Sequence, residues 1–112
     1  YDSRVVLMDE PFGPLDAQTR VILQDELLNL WERSKPSVLF VTHDLVEAIA
    51  LSDRILTFTG RPGRIKREYD VNLPRPRDVY HIHEMDGFKE LYDALWTDIR
   101  DEIGASRGGE AA

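Results

Sequence analysis

Val5-Val6-Leu7-Met8-Asp9-Glu10-Pro11-Phe12-Gly13 decides how this chain is read. Four consecutive apolar residues run into two adjacent carboxylates, and Pro11 and Gly13 then turn the chain away. The unbroken apolar run suits a parallel strand covered on both faces. A strand of that kind ending in Asp-Glu presents acid groups at the carboxyl edge of a sheet, where open α/β folds place their ligands. Carboxylates there can hold a hydrated Mg²⁺ and orient a water for attack on a phosphate. Strand neighbours point to opposite faces, but the bend after Glu10 lets Asp9 and Glu10 approach one ligand.

Working outward, residues 4–8 form the first strand, and Gly13-Pro14 breaks the chain. Asp16 is a good N-cap for a helix over 17–33, on which Leu23, Leu27, Leu30 and Trp31 mark an apolar stripe. Residues 38–42 are apolar and β-branched, a second strand. Strand, helix, strand is a βαβ unit with a right-handed crossover. His43-Asp44 follows the second strand directly, so it falls beside the carboxyl end of the first. Asp44 caps a short helix over 45–51, with Glu47 in the N3 place of a capping box.

A third strand over 54–59, a turn at Gly60-Arg61-Pro62-Gly63 and an antiparallel return over 65–71 make a hairpin. Arg61, Arg64, Lys66 and Arg67 give it a local basic patch, read as solvated. Residues 73–86, opening on Leu73-Pro74-Arg75-Pro76-Arg77, read as an extended linker. Phe88, Leu91, Tyr92, Leu95, Trp96, Ile99 and Ile103 repeat at helical spacing, so 87–104 is an amphipathic helix with Gly104 as its C-cap. Residues 105–112 are small and Gly-rich, an expected disordered tail. The fold class is α/β: a parallel βαβ core within 1–72, a C-terminal hairpin, then linker, helix and tail.

The chain has 112 residues, enough for one domain. A formal net charge of -7 weighs against a nucleic-acid surface, which needs clustered bases. The absence of Cys excludes disulfides and thiolate metal sites. No apolar run approaches a membrane span, so a membrane role has to come through a partner. The chain opens on Tyr1 with a strand following at once, which reads as a piece of a longer protein.

Three positions carry the chemistry. Asp9 suits the water shell of a metal, and Glu10 suits the base or orienter of an attacking water. His43, beside them, can contact a terminal phosphate or hold the water in line. Asp16 has its capping role and room for a further one. His81-Ile82-His83, with Glu84 and Asp86 nearby, lacks a third metal ligand of convincing spacing. A metal-dependent hydrolase built on Asp9, Glu10 and His43 alone has too small a ligand set.

Together these segments resemble the ATP-binding subunit of ABC transporters. Val5-Val6-Leu7-Met8-Asp9-Glu10 looks like the Walker B strand with its glutamate, Gly13-Pro14-Leu15-Asp16 like the D-loop, and Val41-Thr42-His43-Asp44 like the H-loop. Arg61-Pro62-Gly63-Arg64-Ile65 and Leu73-Pro74-Arg75-Pro76-Arg77 resemble the branch serving nitrate, sulfonate and taurine importers. The resemblance implies a partial P-loop NTPase-like (ABC ATPase) fold. Asp9 would support Mg²⁺ through water, Glu10 would polarise the hydrolytic water, and His43 would sense the γ-phosphate of ATP. Asp16 would communicate across a dimer of two such ATPase subunits, docked on a transmembrane permease at the cytoplasmic face of the membrane.

The Walker A loop, the Q-loop and the signature motif have no counterpart in the sequence. The missing Lys and backbone N–H groups would supply most of the phosphate binding. The expectation is therefore a chain that by itself neither binds ATP tightly nor hydrolyses it. The resemblance also implies a missing Walker A strand between the strand before His43 and the strand over 54–59. The slot it leaves would close by rearrangement or invite self-association through strand edges. The competing reading is a non-catalytic α/β interaction or regulatory module.

Overall fold

The computed structural model describes residues 5–58 and 63–111, with side chains for 6–58 and 63–101. The elements run β1 (Val5–Asp9), α1 (Ala17–Ser34), β2 (Ser37–Val41), α2 (Leu45–Leu51), β3 (Arg54–Phe58), β4 (Ile65–Asp70), a 3₁₀ helix (Val79–Glu84) and α3 (Phe88–Ala111). β1 and β2 pair in parallel, Val5 opposite Ser37 through Asp9 opposite Val41. The ladder extends one step further, with Glu10 N–H donating to Val41 O at 2.8 Å. β3 and β4 pair antiparallel from Arg54 opposite Asp70, with an irregularity between Thr57 and Phe58. The turn residues Gly60, Arg61 and Pro62 lie outside the described residues.

These are two separate two-stranded sheets, and no ladder joins β2 to β3 among the described residues. The double-sided cover expected for the first strand is not supplied within them: Leu7 is 65% and Leu39 55% exposed. α1 packs chiefly against the 3₁₀ helix and α2. The α1 stripe differs accordingly. Leu23 and Leu30 are exposed, and the buried positions are Gln24 and Leu28. Gln24 displaces leucine because a buried acceptor, Glu47, needs its amide.

The core gathers Ile49 and Ala50 of α2, Val71 and Leu73 after β4, Ile82 of the 3₁₀ helix, and Phe88 and Leu95 of α3. Residues 73–86, expected as an extended linker, thus bury Leu73, Arg77, Val79 and Ile82. Two arginines explain their course. Arg77 donates to the carbonyls of Ile49, Ala50 and Ser52 at the end of α2, and to those of Val71 and Leu73. Burial pushes its guanidinium down to about 10, so it stays charged at neutral pH. Arg75 donates to Leu51 O and Asp53 and lies 4.4 Å over the Trp31 ring, pinning α1 to the same corner.

The hairpin's bases are not simply solvated. Arg67 Nε lies 3.1 Å from Asp98 Oδ1, and Lys66 Nζ donates to Asp98 O at 3.1 Å. Asp98 is buried on α3, whereas Trp96, expected on the packed face, is exposed. Helix α3 runs to Ala111, past Gly104 and through residues expected as a disordered tail. A glycine costs a helix only about 1 kcal/mol, and no proline follows to stop it.

Candidate functional site

The site is assembled at the carboxyl ends of β1 and β2, where parallel pairing brings Glu10 and His43 together. His43 Nε2 lies 3.1 Å from Glu10 Oε1. Glu10 Oε1 receives no hydrogen bond among the described residues, so this ion-pair contact is its polar neighbour. Glu10 itself sits at φ 45°, in the left-handed region where a residue with a Cβ is strained. The turn behind it is held by Gly13 N–H on Glu10 O and Leu15 N–H on Phe12 O, each at 3.2 Å.

A cleft of about 280 Å³ opens here, lined by Glu10, Gly13, Arg20, Thr42, His43, Asp44 and Glu47. That is just below the roughly 300–1,000 Å³ of typical ligand pockets. The structure thus brings together Glu10 and His43. Asp9 is exposed at the strand end and does not line the cleft. Asp16 also stays outside the lining and caps α1, accepting from Thr19 N–H at 2.8 Å. That backbone hydrogen bond holds its carboxyl below the ordinary value.

Mg²⁺ needs few protein ligands, since it keeps most of its water shell. Asp9 fits that mode as a single exposed carboxylate. No group of three His or acidic residues fit to hold a metal occurs among the described residues. At the other candidate, His81 Nδ1 pairs with Asp78 Oδ2 at 2.8 Å.

Four cleft residues matter besides the candidate site residues: Arg20, Thr42 and the capping-box pair Asp44 and Glu47. Arg20, one turn past Asp16 on α1, donates to the carbonyls of Phe12, Gly13 and Leu15 and pairs with Asp44 Oδ2 at 3.4 Å. Asp44 caps α2 through Glu47 N–H, as the capping box requires. The reciprocal bond is replaced: Thr42 Oγ1 accepts from Asp44 N–H at 3.0 Å. The Glu47 carboxylate turns inward instead, 3% exposed, and accepts from Gln24 Nε2 at 2.6 Å. The Asp16–Arg20–Gln24 spacing was the available signal, since i, i+4 residues share a helix face.

A carboxylate and an imidazole thus converge on a small cleft at the carboxyl ends of two parallel strands of an α/β unit. No family model matches the chain. Individual relatives do. It is 49% identical over 98 residues to an uncharacterised ABC transporter ATP-binding protein of Methanocaldococcus jannaschii, covering 88% of this chain and 37% of that protein. It is 54% identical over 76 residues to the aliphatic sulfonates import ATP-binding protein SsuB of Bacillus cereus, covering 68% of this chain and 30% of that protein. The chain belongs to the family of ABC transporter ATP-binding proteins and spans about a third of the length of these relatives.

Proposed function

We propose that this chain is the part of an ABC importer's ATP-hydrolysing subunit that activates water and reads the terminal phosphate of ATP. The observation that carries the reading is the 3.1 Å approach of His43 Nε2 to Glu10 Oε1 across the ends of two parallel strands. Glu10 accepts a proton from the attacking water, and His43 contacts the γ-phosphate. Asp9 would hold Mg²⁺ through its water shell, and the bound ion would supply neutralisation of phosphate charge. Asp16 lies on the surface, free to meet a second ATPase subunit while capping α1. The subunit sits on the cytoplasmic face of the membrane against a transmembrane permease. No described helix is long and apolar enough to cross a bilayer.

With no Gly-rich phosphate loop in its sequence, the chain alone binds ATP weakly and does not turn it over. The test mixes it with a polypeptide carrying a Walker A loop, Q-loop and signature motif, and follows Mg²⁺-dependent phosphate release. Turnover that appears on mixing and disappears in Glu10→Gln supports the reading. Turnover by the 112-residue chain alone, or none on mixing despite association, overturns it.

A second reading, a non-catalytic interaction module, is supported by the apolar β1–β2 faces, with Leu7 and Leu39 more than half exposed. Unpaired strand edges and those faces would drive self-association of the isolated chain. Light scattering that finds a monomer at high concentration counts against that.

A further inference from the structure

We infer that Arg20 and Gln24 are positioning residues, through which α1 sets the approach of the Glu10 carboxylate to the His43 imidazole. The inference rests on the reading of Glu10 and His43 as the reacting pair. Its basis is a double bridge between two helices that each begin beside the cleft. Arg20 and Gln24 are one turn apart on α1, and Asp44 and Glu47 flank the first turn of α2. Arg20 Nη1 meets Asp44 Oδ2 at 3.4 Å, and Gln24 Nε2 meets Glu47 Oε2 at 2.6 Å. Two bridges one turn apart resist both sliding and rotation of α2 against α1.

The same guanidinium also grips the turn that follows Glu10. Nε donates to Phe12 O at 3.2 Å, and Nη2 to Gly13 O at 3.3 Å and Leu15 O at 3.0 Å. One side chain therefore ties the turn after β1 to the residue that follows His43. Among the described residues, backbone bonding between those ends reaches only to Glu10 N–H on Val41 O. Beyond it Glu10 holds a left-handed backbone and His43 is 92% exposed, so the Arg20 fork adds a side-chain tie across the two ends. The planar fork of Arg suits this role because its N–H groups diverge to several acceptors at once. An ammonium on a flexible stem cannot serve all of them.

The test uses the isotopically labelled 112-residue chain without nucleotide, so failure here is separate from failure of the ATPase reading. In the unsubstituted chain the His43 ring shows a nuclear Overhauser contact to the Glu10 side chain, and the Gly13 and Leu15 amides are protected from exchange. In Arg20→Ala those two amides exchange at least about tenfold faster, the loss of one net hydrogen bond to a charged group. The His43–Glu10 contact disappears while β3–β4 amides such as Leu56 are unchanged. Gln24→Leu weakens the same contact without speeding exchange at Gly13. Loss of fold without change in site geometry would move all amides together, so this pattern isolates positioning. If Arg20→Ala unfolds, Arg20→Lys decides: faster exchange confined to Gly13 and Leu15 supports the inference. An unchanged His43–Glu10 contact in a folded Arg20 variant, or its absence in the unsubstituted chain, overturns it.

Discussion

Glu10 holds a left-handed backbone, φ 45°, at the point where its carboxylate comes within 3.1 Å of the His43 imidazole. A residue with a side chain sits there at a cost of about 1–3 kcal/mol. The ion pair does not repay it, because His43 is almost fully in solvent and such pairs contribute about 0–1 kcal/mol. Glu10→Gly should therefore stabilise the chain by about 1 kcal/mol in urea unfolding. A loss of stability instead would mean that the carboxylate, not the backbone, holds the turn.

Much of the frame around this pair was legible in the sequence, and the reasons are local. Two apolar runs separated by an Asp16-capped helix dictate a βαβ unit, because strand and helix periods differ and the caps punctuate them. Asp16 and Asp44 both cap as their positions require. His43 falls beside Glu10 because parallel pairing aligns the carboxyl ends of β1 and β2. The packing of polar residues was not legible. Gln24, Glu47, Arg77 and Asp98 are buried through partners distant in sequence, and hydropathy assigns each of them to the surface. Leu73-Pro74-Arg75-Pro76-Arg77 reads as a linker for the same reason: its prolines signal extension, while its arginines find their carbonyls only in three dimensions.

Arg77, with a side chain 1% exposed, is the donor shared by five carbonyls of α2 and the segment after β4. Removing it leaves those acceptors buried without a donor, each a penalty of about 1–3 kcal/mol before relaxation. Arg77→Ala should cost on the order of 3 kcal/mol. Arg77→Lys should recover only part, since one ammonium cannot span both sets of carbonyls. Chemical denaturation of the two variants checks the order. Equal stability of Lys and Arg at 77 would show that charge rather than the fork is what matters.

The exposed pair of Asp78 and His81 makes the 3₁₀ helix pH-sensitive. Their hydrogen bond holds the His81 imidazole above its ordinary value and the Asp78 carboxyl below its own. For His81 the contribution is complete below 6.5 and disappears as pH rises through the raised folded-state value. For Asp78 it is complete above 3.8 and is lost as pH falls through the depressed one. The pair therefore supports this helix between those limits. Asp78→Asn should bring the His81 midpoint, followed by proton NMR, down toward 6.5, the ordinary imidazole value. An unmoved midpoint would mean the pair does not form in solution.

Asp98 fastens α3 to the hairpin. Its carboxylate accepts from the Tyr69 hydroxyl and faces Arg67 Nε at 3.1 Å and Lys66 Nζ at 3.7 Å. Burial first, then the hydrogen bond and charge of Asp98, push the Tyr69 phenol up to about 12. A neutral phenol is favoured in the folded chain. Its contribution is complete below 10.0 and is lost as pH climbs toward about 12. A difference titration of phenolate absorbance between the chain and Tyr69→Phe isolates this group. In Asp98→Asn the midpoint should fall but stay above 10.0, because burial, the larger cause, remains. Asp98→Ala should go further and destabilise the chain by about 2–3 kcal/mol, since a buried, charge-assisted network loses its acceptor. If the Tyr69 midpoint in Asp98→Asn returned fully to 10.0, the carboxylate alone would account for the shift, and the packing of β4 against α3 would be looser than the structure describes.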